Sequence, residues 1–79
     1  MHHNETPARR IVVEVEQVTD GRPMRWVALQ QVARRLQIHR SSAAAAVRVA
    51  VDDGWLIGEG EPPHSVCLTD AGRALVDRR

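Results

Sequence analysis

Apolar positions along the chain recur with two different periods, and the changes of period divide it into elements. Ile11, Val12, Val15 and Val18 fall on one helical face. Thr6-Pro7 ahead of them offers an N-cap and a first-turn proline, and Asp20-Gly21 behind them offers a stop, so one helix is bracketed. Val13-Glu14-Val15-Glu16 also alternates as a strand would, but the bracketing favours the helix. After the turn Gly21-Arg22-Pro23, Arg25-Trp26-Val27 has room for a very short strand. Leu29, Val32, Ala33 and Leu36 then take amphipathic helical spacing, with Gln30, Gln31, Arg34 and Arg35 outward.

Ile38-His39-Arg40 separates that helix from a third, Ser41 to Asp53, whose inward face is Ala43, Ala46, Val47 and Ala50 and whose end is marked by Gly54. Trp55-Leu56-Ile57 and Ser65-Val66-Cys67-Leu68 read as two strands joined by the turn-rich segment Gly58 to His64, a hairpin pattern. Thr69 caps a last short helix carrying Ala71, Ala74, Leu75 and Val76. The fold class expected is mainly α with a small β-hairpin.

At 79 residues there is room for one domain, not for a multidomain enzyme. Residues 1–5 are expected to be a flexible tail and 6–79 a single domain. Hydrophobic residues at 43% and charged residues at 27% fit a folded globular chain rather than disorder. No apolar run is long enough to cross a bilayer and no apolar stretch opens the chain. The lone Cys67 has no internal disulfide partner, so the expected compartment is the cytoplasm.

The formal charge of +1 conceals a gradient. Arg22, Arg25, Arg34, Arg35, Arg40 and Arg48 against Asp52 and Asp53 leave residues 22–58 at +4, while residues 1–21 sum to −2 and 59–79 to −1. All eleven basic residues are arginine, whose planar guanidinium forks onto phosphate or guanine edges. Such a basic segment within a nearly neutral chain points to one anion-contacting face, or to plain solvated surface.

Two short helices joined by a tight turn, the second followed at once by a hairpin, describe a helix-turn-helix (about 28–53) with a wing (about 55–68). The residues Leu29 to Ile38, the opening Arg40-Ser41-Ser42, the exit Asp52-Asp53-Gly54-Trp55-Leu56 and the ending Leu68-Thr69-Asp70-Ala71-Gly72-Arg73 resemble winged-helix transcriptional regulators of the MarR type. The resemblance covers about residues 25–76, and the Leu-Thr-x-x-Gly-Arg ending is its most specific piece. It implies a third helix that enters the major groove of double-stranded DNA. Carried over, the outward positions are Arg40, Ser41, Ser42, Ala44, Ala45 and Arg48. Arg40 is placed to fork onto guanine, Ser41 and Ser42 to bond phosphate or bases, and Arg34 or Arg35 to reach the flanking backbone. Ser41 or Ser42 has the plainer alternative of capping a helix, and the arginines that of keeping the surface soluble. If DNA is the partner, Arg40, Arg48 and Arg34 or Arg35 are expected on one face with the wing.

The sequence departs from the family pattern where function would sit. Ala44 and Ala45 stand where readers of DNA carry polar groups, and Val49 extends an apolar strip fit for protein or for thymine methyls. The wing carries Glu59 and Glu61 instead of a basic side chain, leaving His64, when protonated, as its only cation. Gln37 occupies a turn position that favours glycine, and His39 one that favours Ser or Asp. Trp26 and Trp55 read as core or strand residues rather than base-stacking groups.

Catalytic chemistry finds no constellation. Cys67 lies mid-strand without an adjacent base, and His39 and His64 lack partners at metal-site spacing, as His2 and His3 do in the tail. The expectations are therefore a small DNA-binding regulator, not an enzyme, with no cofactor or metal. Its expected partners are double-stranded DNA and a second copy on a two-fold operator; an effector is not specified. The alternative is a winged-helix module that binds protein without DNA.

Overall fold

A computed structural model describes residues 6–22 and 24–77. The expected flexible tail 1–5 and Pro23 of the first turn lie outside these residues. Four helices and a three-stranded antiparallel sheet follow in the order α1 (Pro7–Thr19), β1 (Trp26–Ala28), α2 (Leu29–Leu36), α3 (Arg40–Asp52), β2 (Leu56–Glu59), β3 (Ser65–Leu68) and α4 (Asp70–Asp77).

The bracket around α1 acts as its sequence implies. Thr6 Oγ1 accepts from Arg9 N at 3.2 Å, Pro7 opens the helix, and Asp20 closes it in the left-handed region at φ 59°. Helix prevails over the alternating pattern because Ile11, Val12 and Val15 are wholly buried together, which a strand could not arrange. Glu14 is also buried, with its carboxylate engaged by Arg35 of α2.

The hairpin gains a third strand. The sheet order is β1-β3-β2, with Val27 opposite Val66 and Leu56 opposite Leu68. β2 also runs past the expected Ile57, since Gly58 and Glu59 continue the ladder opposite Val66 and Ser65. Gly58 lies over α3, where an added Cβ would make an ordinary contact with Val51 Cγ2 at 3.4 Å. β1 leads directly into α2, whose start has no side-chain cap; instead Leu29 N donates to His64 O at 2.8 Å. The far end of the hairpin thus satisfies one of the free amides at the start of α2.

Between α2 and α3 the turn spans residues 37–39. Gln37 takes the left-handed conformation at φ 58° that favours glycine, Ile38 N donates to Ala33 O at 3.0 Å, and His39 caps α3. The core is built of small aliphatic side chains, chiefly Val12, Val15, Val32, Val47, Leu56 and Val66. With alanines at 43, 46 and 50, α3 packs close to α1. Trp55 is half-buried against this core, whereas Trp26 is 46% exposed on an edge strand.

Of the apolar residues that α4 carries, only some face the core. Ala71 and Ala74 are exposed, and the buried positions are Gly72 and Val76, with Leu75 half-buried. Gly72 sits against the Trp55 carbonyl, while Thr69 Oγ1 donates to Gly54 O at 2.6 Å and accepts from Gly72 N at 3.0 Å. α4 is thereby tied to the end of α3. Among the described residues no helix is long and apolar enough to cross a membrane.

Candidate nucleic-acid interface

α3 presents an outward face formed by Ser41, Ser42, Ala45, Arg48, Val49 and Asp52, all exposed. The face exists because alanine and valine at 43, 46, 47 and 50 turn the opposite side into the core, fixing the helix's rotation. Ala44, expected outward, belongs to the core cluster at 9% exposure; it lies more than a quarter-turn from the centre of the outward face. It presents little surface for a base to touch.

At the start of α3, Arg40 is exposed and shares a shallow depression with Arg34 of α2. Gln30, Ala33, Ile38 and His39 complete its wall, and its volume is about 380 Å³. Neither guanidinium makes an ion pair among the described residues. His39 Nδ1 accepts from Ser41 N at 3.1 Å and lies 2.9 Å from Ser41 Oγ, so the Ser41 hydroxyl is drawn into the cap. With Nδ1 accepting, the hydroxyl donates to it and keeps its own lone pairs free. Two cations and a helix N-terminus with free amides therefore converge at this end, an arrangement suited to phosphate oxygens.

The remaining cationic candidates are drawn elsewhere. Arg35 Nε donates to Glu14 Oε2 of α1; the Glu14 side chain is only 11% exposed, so this guanidinium serves α1–α2 packing. Arg48 Nη2 donates to Glu61 Oε2 in the β2–β3 loop at 3.1 Å. The expected single cationic face is consequently divided, with Arg34 and Arg40 together at one end, Arg48 beside the hairpin and Arg35 against α1. His64 is exposed in the β2–β3 loop, where its ring lies beside Gly60. A Cβ at Gly60, where φ is 101°, would lie 2.1 Å from His64 Cδ2, and His64 Nδ1 is 3.3 Å from Ser65 Oγ.

On the other flank of α3, Ser42, Ala45, Ala46 and Val49 meet Thr6, Pro7 and Ala8 of α1 around an open groove of about 420 Å³. Its wall is largely apolar, which places Ser42 and Ala45 beside hydrocarbon as well as solvent. Of the strip expected from Ala44, Ala45 and Val49, the last two line this groove, and the start of α1 extends it. Sequence reasoning missed this contribution, since Thr6 and Pro7 carried only a capping signal. It also missed Asp52 beside Arg48, although both were visible as helix positions four apart.

Among the described residues no group of three or more His, Cys, Asp or Glu side chains is placed to hold a metal ion. Cys67 is fully buried, and its Sγ lies 3.7 Å from the Leu68 carbonyl. Compared with protein-family models and with curated proteins, the sequence finds no match in either.

Proposed function

We propose that this chain is a winged-helix domain, similar to those of MarR-type regulators, that binds double-stranded DNA with α3 in the major groove and the β2–β3 hairpin as its wing. The order of helices, the tight α2–α3 turn and the hairpin directly after α3 support the fold reading. The observation that carries the function is the pairing of Arg34 and Arg40, both exposed and without a carboxylate partner among the described residues, at the N-terminal end of α3. Arg40 is then the base or phosphate contact at the helix entrance, Arg34 the backbone anchor, and Ser41, Ser42 and Ala45 the short side chains that let the helix approach the base edges.

With alanine and valine on much of the outward face, few hydrogen bonds to bases are available, so most of the affinity comes from phosphate contacts. A single module of this kind buries only about 600–1,000 Å² of its surface on DNA, so useful specificity calls for two copies on a two-fold site. The test is fluorescence anisotropy of a short labelled duplex across a range of salt concentrations, with Arg40→Ala and Arg34→Ala as variants. Each substitution is expected to weaken binding and to flatten the log–log salt dependence by about one phosphate's worth.

The apolar groove between α1 and α3 and the divided arginines favour a second reading, in which the domain binds a protein and not DNA. Absence of DNA binding at low salt, where electrostatic attraction is least screened, selects that reading.

A further inference from the structure

The Arg48–Glu61 pair joins the outward face of α3 to the hairpin loop, and its surroundings give it a direction. The hairpin rests on α3 through Gly58, whose Cα faces Val51, Val47 and Pro63. The base of its loop is closed by His64 N donating to Glu59 O at 2.9 Å, and the His64 carbonyl accepts from Leu29 N at 2.8 Å. Glu61 is therefore tethered over α3 and meets Arg48 at 3.1 Å, in a depression of about 310 Å³ that Asp52 also lines. A carboxylate offers a guanidinium the same pair of acceptor oxygens that a phosphodiester does.

We propose that Glu61 is an internal competitor for the DNA phosphate that Arg48 would otherwise hold, so that the hairpin loop restrains affinity instead of adding to it. This rests on the DNA-binding reading above. Among the described residues Arg48 is the only cation lining that depression, whereas Asp52 and Glu61 both line it with carboxylates. DNA approaching α3 must first displace Glu61, and a displaced Glu61 remains nearby because the loop is anchored at both ends. The pair is solvent-exposed on both sides, which sets a modest scale. Exposed pairs of this type correspond to about a two- to five-fold change in an equilibrium constant.

Glu61→Gln removes the competitor and keeps the side chain's shape. Glu59→Gln makes the same change of charge on the same hairpin at a residue with no ion pair among the described residues. Affinity for a short labelled mixed-sequence duplex is measured against salt for wild type, both variants, Arg48→Ala and the Arg48→Ala/Glu61→Gln double variant, with circular dichroism confirming the fold. The expected result is tightening of about two- to five-fold for Glu61→Gln, beyond that of Glu59→Gln. Its salt slope should stay close to that of wild type, because Arg48 neutralises the same phosphate in both complexes, and the gain should vanish in the Arg48→Ala background. Equal tightening by the two glutamine variants, or a gain that survives loss of Arg48, overturns the proposal while wild-type binding leaves the DNA reading standing. If neither wild type nor any variant binds at low salt, the DNA reading itself fails and the proposal falls with it.

Discussion

Replacing Gly72 by alanine sets two effects of opposite sign against each other. Gly72 lies inside α4, where helix propensity alone favours alanine by about 0.8–1.0 kcal/mol. The added Cβ, however, would stand 2.2 Å from the Trp55 carbonyl oxygen and 2.9 Å from Leu68 Cδ1, whereas ordinary contact begins at 3.4 Å. The Leu68 methyl can rotate away, but the carbonyl is backbone and already accepts from Thr69 N at 3.2 Å. α4 must therefore retreat by about 1 Å, an overpacking displacement that costs about 1–3 kcal/mol. The retreat also stretches the Thr69 bridge to Gly54 O and Gly72 N, each bond being worth about 1 kcal/mol. The clash and the strained bridge together outweigh propensity, leaving a net loss of about 1–3 kcal/mol. In a domain of this length each lost kcal/mol lowers Tm by about 4–8 °C. Thermal and urea unfolding followed by far-ultraviolet circular dichroism measures it. An unchanged or raised Tm would mean that propensity wins and that α4 does not rest on the Trp55 carbonyl.

Arg35→Ala should destabilise the fold by about 1–3 kcal/mol, because it leaves the largely buried Glu14 carboxylate without its donor. The same variant should affect DNA affinity much less than Arg40→Ala, and chemical denaturation beside anisotropy separates the two roles. His39→Ala removes the acceptor for Ser41 N at the start of α3 and should cost about 0.5–2 kcal/mol, while His39→Asp restores a cap. Equal stability of the alanine and aspartate variants in urea would contradict that role for His39.

The elements were legible wherever local signals agreed. Thr6, Pro7 and Asp20 delimit α1 in sequence and in structure, and Gln37 occupies the left-handed turn expected at its position. The mainly helical architecture with a small antiparallel sheet follows from the same periodicities. Beyond the β2–β3 hairpin, pairing was not legible, because it depends on distant residues. The β1 segment reads as a short strand, but nothing local says that Val27 faces Val66. Glu14 carried no signal of burial, and its pairing with Arg35 of α2 joins residues far apart in sequence. Gly72 was legible as part of the Leu68-to-Arg73 ending, but that its lack of a Cβ admits the carbonyl of Trp55 was not. Ala44 looked outward by carry-over from the family pattern, whereas it lies on the flank of α3, more than a quarter-turn from the outward face, where it joins the core cluster. Of the candidate site, the two arginines at the α2–α3 junction were legible as a charge pattern. The fates of Arg35 and Arg48 depended on carboxylates in α1 and in the hairpin loop.

The central claim is that the entrance of α3, with Arg34 and Arg40, is a DNA contact. Its most direct test is the salt-dependent anisotropy of a short labelled duplex with wild type and Arg40→Ala. The account predicts a linear log–log loss of affinity with salt, at a slope of about −0.9 per phosphate neutralised, that becomes shallower by about one contact in the variant. Wild-type binding that is absent at low salt, or identical in slope and affinity to that of Arg40→Ala, would contradict it.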